Sequence, residues 1–231
     1  MSKPQLFCFT YAGGNASFFD VIEKDMPDLE LVKFEYSGHG TRHKEPLYKS
    51  FDELTDDLYG RCKNERNEED YALFGYSMGT IALVEILKRI DADPGMGLPS
   101  HVFLAAHEPH SKVELAEYSE EKLDEWVKER TIRFGAVPDK LIKNKSFWRM
   151  YLPLYRADYS IISKYRFEDL DLVSKVSATV FYSETDTTRT EMELWTRYFV
   201  GECDFHQYEG SHFFIQEHHS EMAEVINEKM L

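Results

Sequence analysis

The chain has 231 residues, a length that favours one domain with an insertion over two full domains. Its formal net charge of −15 argues against nucleic-acid binding, which needs a basic surface. No apolar run approaches the roughly 20 residues of a membrane span, and the first strand begins too early to leave room for a signal peptide. Three cysteines without paired spacing indicate reduced thiols, and we therefore expect a cytoplasmic protein without disulfides.

Strand-like and helical patterns alternate over the first 106 residues. Ser50 and Glu53 have the spacing of a capping box, which marks the start of one of the helices. Apolar runs of strand length occupy residues 5–11, 29–36, 71–74 and 101–106, and helical patterns occupy residues 16–24, a segment after Ser50 and a segment after Ser77. This alternation predicts an α/β fold with a mostly parallel central sheet and helices on both faces.

The alternation stops between residues 108 and 167. Two helical patterns, 120–134 and 146–165, fill this segment with large apolar side chains. It is too long for a simple connection and too helical for a loop, and we predict a helical lid inserted into a single domain spanning residues 1–231. The last predicted elements are a strand at 178–182, a helix at 189–199, a strand at 203–208 and a helix at 220–230.

Residues 75–79, Gly-Tyr-Ser-Met-Gly, fit the G-x-S-x-G nucleophile elbow. A strand that turns this sharply into a helix leaves no room for side chains beside the serine, so both flanking positions are glycine. The apolar run before Ser77 and the helical pattern after it fit that context. A tight turn that carries an inert serine remains the alternative.

A serine hydroxyl is a poor nucleophile at pH 7 and needs a base to accept its proton. In this architecture the acid and the histidine follow the serine in that order. Asp186 and His212 each come just after a predicted strand, at the edge of the sheet where ligands bind. We predict that His212 deprotonates Ser77 and that Asp186 orients the imidazole, with Glu184 as the alternative acid.

The oxyanion of an acyl-transfer intermediate needs backbone N–H donors that are already in place. Met78, directly after the nucleophile, supplies one of them by geometry. The turn after the first strand should supply the other, with the Ala12 N–H as first choice and the Tyr11 N–H as second. A phosphate-binding loop is the competing interpretation of this glycine-containing turn, but no G-K-[ST] follows it.

The remaining histidines give weaker signals. Residues 107–110, His-Glu-Pro-His, are not H-E-x-x-H, and the proline would break the helix that this zinc motif requires, so we predict no metal site. His39 follows a strand and is predicted to stabilise a turn. His218 and His219 are predicted to begin a solvated helix.

Four motifs follow one another along the chain: residues 9–14 (Phe-Thr-Tyr-Ala-Gly-Gly), 36–40 (Tyr-Ser-Gly-His-Gly), 75–79 and 210–214 (Gly-Ser-His-Phe-Phe). Their order and separations, together with the segment 152–159, resemble the type II thioesterases of nonribosomal peptide and polyketide synthases. The resemblance implies an α/β-hydrolase fold and the removal of wrong or stalled acyl groups from the phosphopantetheine arm of carrier proteins. It also places Ser77, Asp186 and His212 on the catalytic triad of the family.

The chain departs from the family pattern at three places on the rim of the site. Thr10 replaces a usual proline, Tyr36 and Ser37 replace a proline-containing pair, and Ser183 replaces a frequent glycine. These changes leave the triad intact and affect the expected path of the rim loops.

Two other functions are weighed against a thioesterase. A carboxylester hydrolase or acyltransferase for small free substrates would use the same triad, which therefore does not exclude it. A binding protein on an inactive hydrolase scaffold should have lost the nucleophile or the base, and this chain has both Ser77 and His212. Because a thioester is already activated, a triad with an oxyanion hole suffices, and we expect no cofactor.

Carrier proteins are commonly acidic, so an acidic enzyme needs a local basic patch to dock them. Residues 127–151 hold seven basic residues against two acidic ones, whereas residues 114–125 have the opposite sign. We predict that Lys140, Lys143 and Lys145 contact the carrier protein, the alternative being solvated faces of the lid helices. The aromatic-rich lid predicts an apolar wall with weak acyl selectivity, and we expect a monomer.

Overall fold

The computed structural model describes residues 2–93, 95–110 and 120–231, with the side chains of residues 120 and 121 left out. Six parallel strands form one sheet in the order β2-β1-β3-β4-β5-β6. Their bounds are β1 Gln5–Phe9, β2 Glu30–Phe34, β3 Tyr71–Tyr76, β4 His101–Ala105, β5 Ser177–Tyr182 and β6 Cys203–Gln207. The predicted α/β fold with a parallel sheet is confirmed, and all carboxyl ends of the strands meet at one edge.

Helices cover both faces of this sheet. The α-helices are α1 Asp20–Glu23, α2 Phe51–Glu65, α3 Met78–Ala92, α4 Glu120–Arg133, α5 Asp139–Ile142, α6 Lys145–Lys164, α7 Arg189–Met192 and α8 Ile215–Met230. Side chains that alternate along β1 divide between two apolar cores: Phe7 packs with α2 and α3, and Leu6 packs with α1 and α8. No helix in the described part of the chain is long and apolar enough to cross a membrane.

Helices α4, α5 and α6 lie between β4 and β5, and we call them the lid helices. Residues 111–119 of the predicted lid segment lie outside the described residues. Helix α6 begins at Asn144, whose side chain accepts hydrogen bonds from the N–H groups of Ser146 and Phe147. It packs against α4 through an edge-to-face contact of Trp126 and Tyr159, with ring centroids 5.6 Å apart.

Several predicted helices differ in type or start. The predicted helix 16–24 is a 3₁₀ turn, Ala16–Phe19, followed by α1, and the predicted helix 189–199 is α7 followed by a 3₁₀ segment, Glu193–Arg197. Both segments combine two helix types, which the spacing of apolar residues does not distinguish. The last helix begins at Ile215, five residues before its predicted start, and is kinked at His218.

The capping prediction at Ser50 was half right. The Ser50 hydroxyl accepts a hydrogen bond from the Glu53 N–H, as predicted, but the Glu53 carboxylate reaches back to the Lys49 N–H instead of the Ser50 N–H. A complete capping box occurs at the start of α7, between Thr188 and Glu191.

Candidate active site

Ser77 lies at the tip of the turn that joins β3 to α3. Its backbone has φ 55° and ψ −117°, a region that non-glycine residues rarely adopt and that costs on the order of 1–3 kcal/mol. The strained turn is held from β4, because the Ser77 N–H donates to the carbonyl of Ala105 over 2.8 Å. The hydroxyl of Thr80 adds contacts to the carbonyls of Gly75 and Ala105.

The two glycines that flank Ser77 have no space for a side chain. A Cβ atom at Gly79 would lie 1.9 Å from the carbonyl oxygen of Phe9, and one at Gly75 would lie 2.4 Å from the carbonyl oxygen of Gly79. Both neighbours are backbone atoms of packed elements that cannot move away. The steric reason for the G-x-S-x-G pattern therefore holds in this structure.

Three side chains from separate loops meet at the carboxyl edge of the sheet. His212 Nε2 lies 3.0 Å from Ser77 Oγ, and His212 Nδ1 lies 2.7 Å from Asp186 Oδ2. The side chains of Asp186 and His212 are 8% and 9% exposed. A buried carboxylate that accepts the Nδ1–H leaves Nε2 free to accept the serine proton.

Glu184, the alternative acid, lies away from the imidazole. Its carboxylate accepts a hydrogen bond from the Arg189 N–H over 3.0 Å, at the start of α7. The structure thus brings Asp186, and not Glu184, into contact with His212.

The loops that carry Asp186 and His212 are joined to each other and to the sheet. The Ser183 hydroxyl donates to the carbonyl of Gly210 over 2.6 Å, and the hydroxyl of Thr185 reaches the same oxygen. The Tyr76 hydroxyl donates to the carbonyl of His212 over 2.7 Å. Ser183, which departs from the family pattern, therefore links the acid loop to the histidine loop.

The predicted oxyanion donors come from the start of α3 and from the turn after β1, whose residues Tyr11 and Ala12 line a cavity together with Ser77. The Met78 N–H is the first of α3 and has no acceptor within its own helix. Opposite it, residues 11–14 form a turn in which the Gly14 N–H donates to the Tyr11 carbonyl over 3.0 Å. Within the described chain the N–H groups of Tyr11 and Ala12 have no protein acceptor, so both can donate to a ligand.

A cavity of about 680 Å³ opens in front of Ser77. Trp126, Phe134 and Tyr159 of the lid segment line it, as the aromatic content predicted. Its wall also contains charged residues, namely Glu108, Glu129, Arg130 and Arg133. The predicted apolar wall is therefore incomplete, because α4 also brings the charged side chains of Glu129, Arg130 and Arg133 to the cavity.

Phe134 covers the imidazole of His212, with ring centroids 4.6 Å apart. The Arg130 guanidinium lies over the ring of Phe134 at 4.8 Å and over that of Trp126 at 5.3 Å. The lid segment thus contacts His212 directly, through the residue that follows α4.

His107, at the end of β4, is not part of a metal motif. Its Nδ1 lies 2.6 Å from the carbonyl of Glu108, and its own carbonyl accepts from Trp195. Burial lowers the pKa of His107 below 6.5, which keeps the ring neutral. The residue therefore holds the strand end beside the cavity.

The sequence-based predictions for the other histidines were incomplete. His219 Nδ1 lies 2.6 Å from an oxygen of Asp25, so it joins α8 to the end of α1 and does not begin a solvated helix. His39 is buried and contacts the Ser37 carbonyl within its own turn, as predicted. It also contacts Asp158 on α6, which the sequence analysis did not identify.

Asp158 was missed although the sequence holds a signal for it. It is an acidic residue within the buried face of α6, between Tyr155 and Ile161, where an unpaired charge would be costly. Its burial to 2% exposure requires partners, which lie 119 and 145 residues away in the chain.

The three lysines predicted to bind a carrier protein are exposed. Lys140 lies on α5, Lys143 directly follows it, and Lys145 begins α6. Arg149, one turn further along α6, is exposed as well, and Met150 beside it is 66% exposed. These five residues, which we call the lid basic patch, give this end of the lid a positive and partly apolar surface.

Comparison with known proteins identifies the family. Residues 4–230 match the family described as thioesterase domain. The chain is 28% identical over 220 residues to the medium-chain S-acyl fatty acid synthase thioesterase of Rattus norvegicus, covering 91% of this chain and 81% of that one. It is 25% identical to the gramicidin S biosynthesis protein GrsT of Aneurinibacillus migulanus, covering 97% of this chain and 88% of that one.

Solved structures share the same fold. The type II thioesterase BorB from the borrelidin biosynthetic cluster superposes with a TM-score of 0.83 at 24% identity, covering 99% of this chain and 93% of that one. With a family match over nearly its whole length and a serine, a histidine and an aspartate in hydrogen-bonding contact, the chain belongs to the thioesterase family of α/β hydrolases.

Proposed function

We propose that this enzyme is an editing thioesterase, which hydrolyses aberrant or stalled acyl groups from the phosphopantetheine arm of carrier proteins in nonribosomal peptide or polyketide synthesis. The observation that carries the proposal is the contact of Ser77, His212 and Asp186 in a chain of the thioesterase family. GrsT, a relative that matches 97% of this chain, is named as a gramicidin S biosynthesis protein, which supports the pathway.

The geometry supports a two-step acyl transfer. His212 takes the proton of Ser77 as the oxygen attacks the thioester carbonyl, and Asp186 stabilises the imidazolium that forms. The N–H of Met78 and an N–H of Ala12 or Tyr11 hold the oxyanion. The carbon–sulfur bond breaks, the thiol leaves with the proton from His212, and a water molecule activated by His212 then releases the acid from Ser77.

The reaction as proposed uses no resident metal or cofactor, because the thioester is already activated and the phosphopantetheine belongs to the substrate. A thiolate leaving group needs less protonation than an alkoxide would, since a thiol is a stronger acid than an alcohol; the cysteine thiol, for example, has an ordinary pKa of about 8.5. The same triad would also cleave small carboxylesters, but a thioester of a carrier protein has an additional protein surface for recognition. The partner is therefore an acyl or peptidyl carrier protein, which approaches an enzyme that acts as a monomer.

The lid basic patch is the proposed docking surface for that carrier protein. Lys140, Lys143 and Lys145 are exposed and make no ion pair with the residues that the structure describes. Free cations on the lid would steer an acidic partner toward the cavity that the arm must enter.

The experiment that tests the function compares substrates. Acetyl-, propionyl- and butyryl-carrier proteins should be hydrolysed with selectivity below about 200-fold between neighbours, and with kcat/KM well above that for p-nitrophenyl acetate. Ser77→Ala should lower turnover of every substrate by several orders of magnitude.

A preference for one acyl chain beyond about a thousandfold would instead indicate a dedicated product-releasing enzyme. A higher kcat/KM for p-nitrophenyl acetate than for every acyl-carrier protein would contradict the proposed function in favour of a carboxylester hydrolase.

A further inference from the structure

Three separate segments of the chain meet at one buried carboxylate. Asp158 of lid helix α6 accepts a hydrogen bond from the Gly13 N–H over 2.6 Å, and the same oxygen lies 3.0 Å from His39 Nε2. Asp158 is 2% exposed and His39 is 1% exposed. The lid, the turn after β1 and the loop after β2 are thus joined at a point that solvent does not reach.

The contacts define the charges of the pair. His39 Nδ1 lies 3.0 Å from the carbonyl of Ser37, so both ring nitrogens face acceptors and both carry a proton. The Asp158 oxygen lies between two N–H groups and accepts a hydrogen bond from each of them. A buried imidazolium therefore faces a buried carboxylate, with Glu35 and the ring of Tyr36 as its other neighbours.

The direction of the Gly13 N–H decides which type of β-turn residues 11–14 form. Residues 11–14 are closed by the Gly14 to Tyr11 hydrogen bond, and Gly13 has φ 74°, which is the geometry of a type II turn. Type I and type II turns differ by a flip of the central peptide, here between Ala12 and Gly13. Asp158 accepts the N–H of this peptide and so favours one of the two orientations.

Two further contacts hold the same turn. The Tyr36 hydroxyl donates to the carbonyl of Thr10 over 2.7 Å. Tyr155, one turn before Asp158 on α6, lies so close to Gly13 that a Cβ atom there would be 2.1 Å from its ring. Helix α6 therefore fixes the turn by packing and by charge together.

We propose that Asp158 is a positioning residue for the oxyanion hole. Its carboxylate, held by the His39 imidazolium, anchors the turn at the Ala12–Gly13 peptide and thereby keeps in place the loop whose Tyr11 and Ala12 N–H groups are free to bind the carbonyl above Ser77. This inference rests on the proposed function, since it assigns those N–H groups to the tetrahedral intermediate. A buried ion pair is not by itself a reliable source of stability, which is consistent with a role in geometry.

Asp158→Asn tests the proposal with little change in shape. The NH₂ group of the new asparagine would face either the Gly13 N–H or the His39 Nε2–H, and two donors do not form a hydrogen bond. The turn therefore loses part of the hydrogen bonding that holds it. We expect kcat for acetyl-carrier protein to fall about 10- to 100-fold, with KM within about threefold, because a misplaced donor weakens only the transition state. Asp124→Asn is the matched control, since Asp124 lies on lid helix α4 and pairs with Arg156 away from the turn.

Two inhibitors separate positioning from general damage to the lid. An alkyl boronic acid forms a tetrahedral adduct with Ser77 and needs the oxyanion donors, whereas S-propyl-pantetheine has a methylene in place of the thioester carbonyl and does not. Asp158→Asn should weaken the boronic acid by the same factor as kcat and leave the thioether unchanged. An unchanged kcat, an equal loss for both ligands, or an equal effect of Asp124→Asn would overturn the proposal.

Variants of His39 test the same point if Asp158→Asn does not fold. The side-chain amide introduced by His39→Gln keeps an N–H donor toward Asp158, whereas His39→Leu removes the donor. Rescue of most of kcat in His39→Gln relative to His39→Leu is expected, and equal kcat in the two variants would contradict the role of this hydrogen bond. A separate assay of Ser77 with a fluorophosphonate distinguishes a failed proposal from a failed assignment of the nucleophile.

The pH dependence supplies a readout that packing alone would not give. Burial by itself lowers the pKa of His39, but the Asp158 carboxylate, the hydrogen bond to the Ser37 carbonyl and the charge of Glu35 together outweigh it, and the pKa is raised above 6.5. The pair is therefore fully charged below pH 6.5 and loses its cation as the pH rises through the raised pKa. Wild-type kcat should therefore decline as the pH rises through the raised pKa of His39. The His39→Gln variant should lack this decline, and a decline of equal size in His39→Gln would count against the proposal.

Discussion

Asp186 and Glu184 lie two residues apart, yet only one of them faces the catalytic imidazole. The difference arises because the chain turns between them: the N–H groups of Asp186 and Thr187 both donate to the carbonyl of Ser183. That turn directs Asp186 toward His212 and leaves Glu184 at the start of α7.

Asp186→Asn should lower kcat for acyl-carrier protein by about 10³- to 10⁴-fold, somewhat less than Ser77→Ala, because the amide favours the wrong tautomer of His212. Glu184→Gln serves as the matched control and should change kcat less than about threefold. Steady-state kinetics of both variants decide the assignment, and the reverse order of effects would make Glu184 the acid.

At the scale of elements, the unit of β3, Ser77 and α3 depends on close approach of backbones. Gly79 belongs to α3 and touches the end of β1, whereas Gly60 belongs to α2 and has nothing within 4 Å of its Cβ position. Steric crowding therefore requires a glycine at position 79, whereas no neighbouring atom requires one at position 60.

Gly79→Ala should destabilise the fold by about 1–3 kcal/mol or more, because the new methyl group would overlap the carbonyl of Phe9. Gly60→Ala should stabilise it by about 0.5–1 kcal/mol, since alanine loses less backbone entropy in an exposed helix. Urea unfolding midpoints measure both changes. A Gly79→Ala variant as stable as the wild type would show that the elbow can widen.

The sequence predicted well those elements whose structure is determined by residues close together in the chain. Local patterns of apolar residues located the strands, and the elbow pattern placed Ser77 at the start of α3. The kink at His218 and the division of residues 189–197 into two short helices depend on packing that no local pattern records. The contact of Asp158 with Gly13 spans 145 residues, and one sequence contains no information on such pairings.

At the scale of the whole molecule, charge is distributed unevenly over an acidic protein. The net charge is −15, but the lid basic patch collects four exposed cations on the lid segment. Long-range repulsion of an acidic partner is therefore opposed by local attraction close to the cavity, and salt should change the balance.

Reversal of Lys140, Lys143 and Lys145 to Glu should raise KM for acyl-carrier protein about tenfold at low salt, with the effect shrinking at high salt. KM for acyl-pantetheine, which lacks the protein charge, should stay unchanged. Reversal of Lys3, Lys24 and Lys175 is the matched control, because these exposed lysines precede β1 and β5 or follow α1, away from the carboxyl edge. Equal losses on both substrates would indicate damage to the lid, and unchanged KM on both would place docking elsewhere.

The contact of Asp158 with His39 and Gly13 also limits how such enzymes can be recombined. A chimaera that receives its lid from a relative inherits whichever residue that relative has at the position of Asp158, while the imidazolium and the turn stay with the recipient. A neutral residue at that position would leave the cation of His39 buried without a counterion. Lid exchange should therefore succeed when the residues at positions 13, 39 and 158 are transferred together. Engineering of new acyl specificities through the lid has to keep these three residues matched.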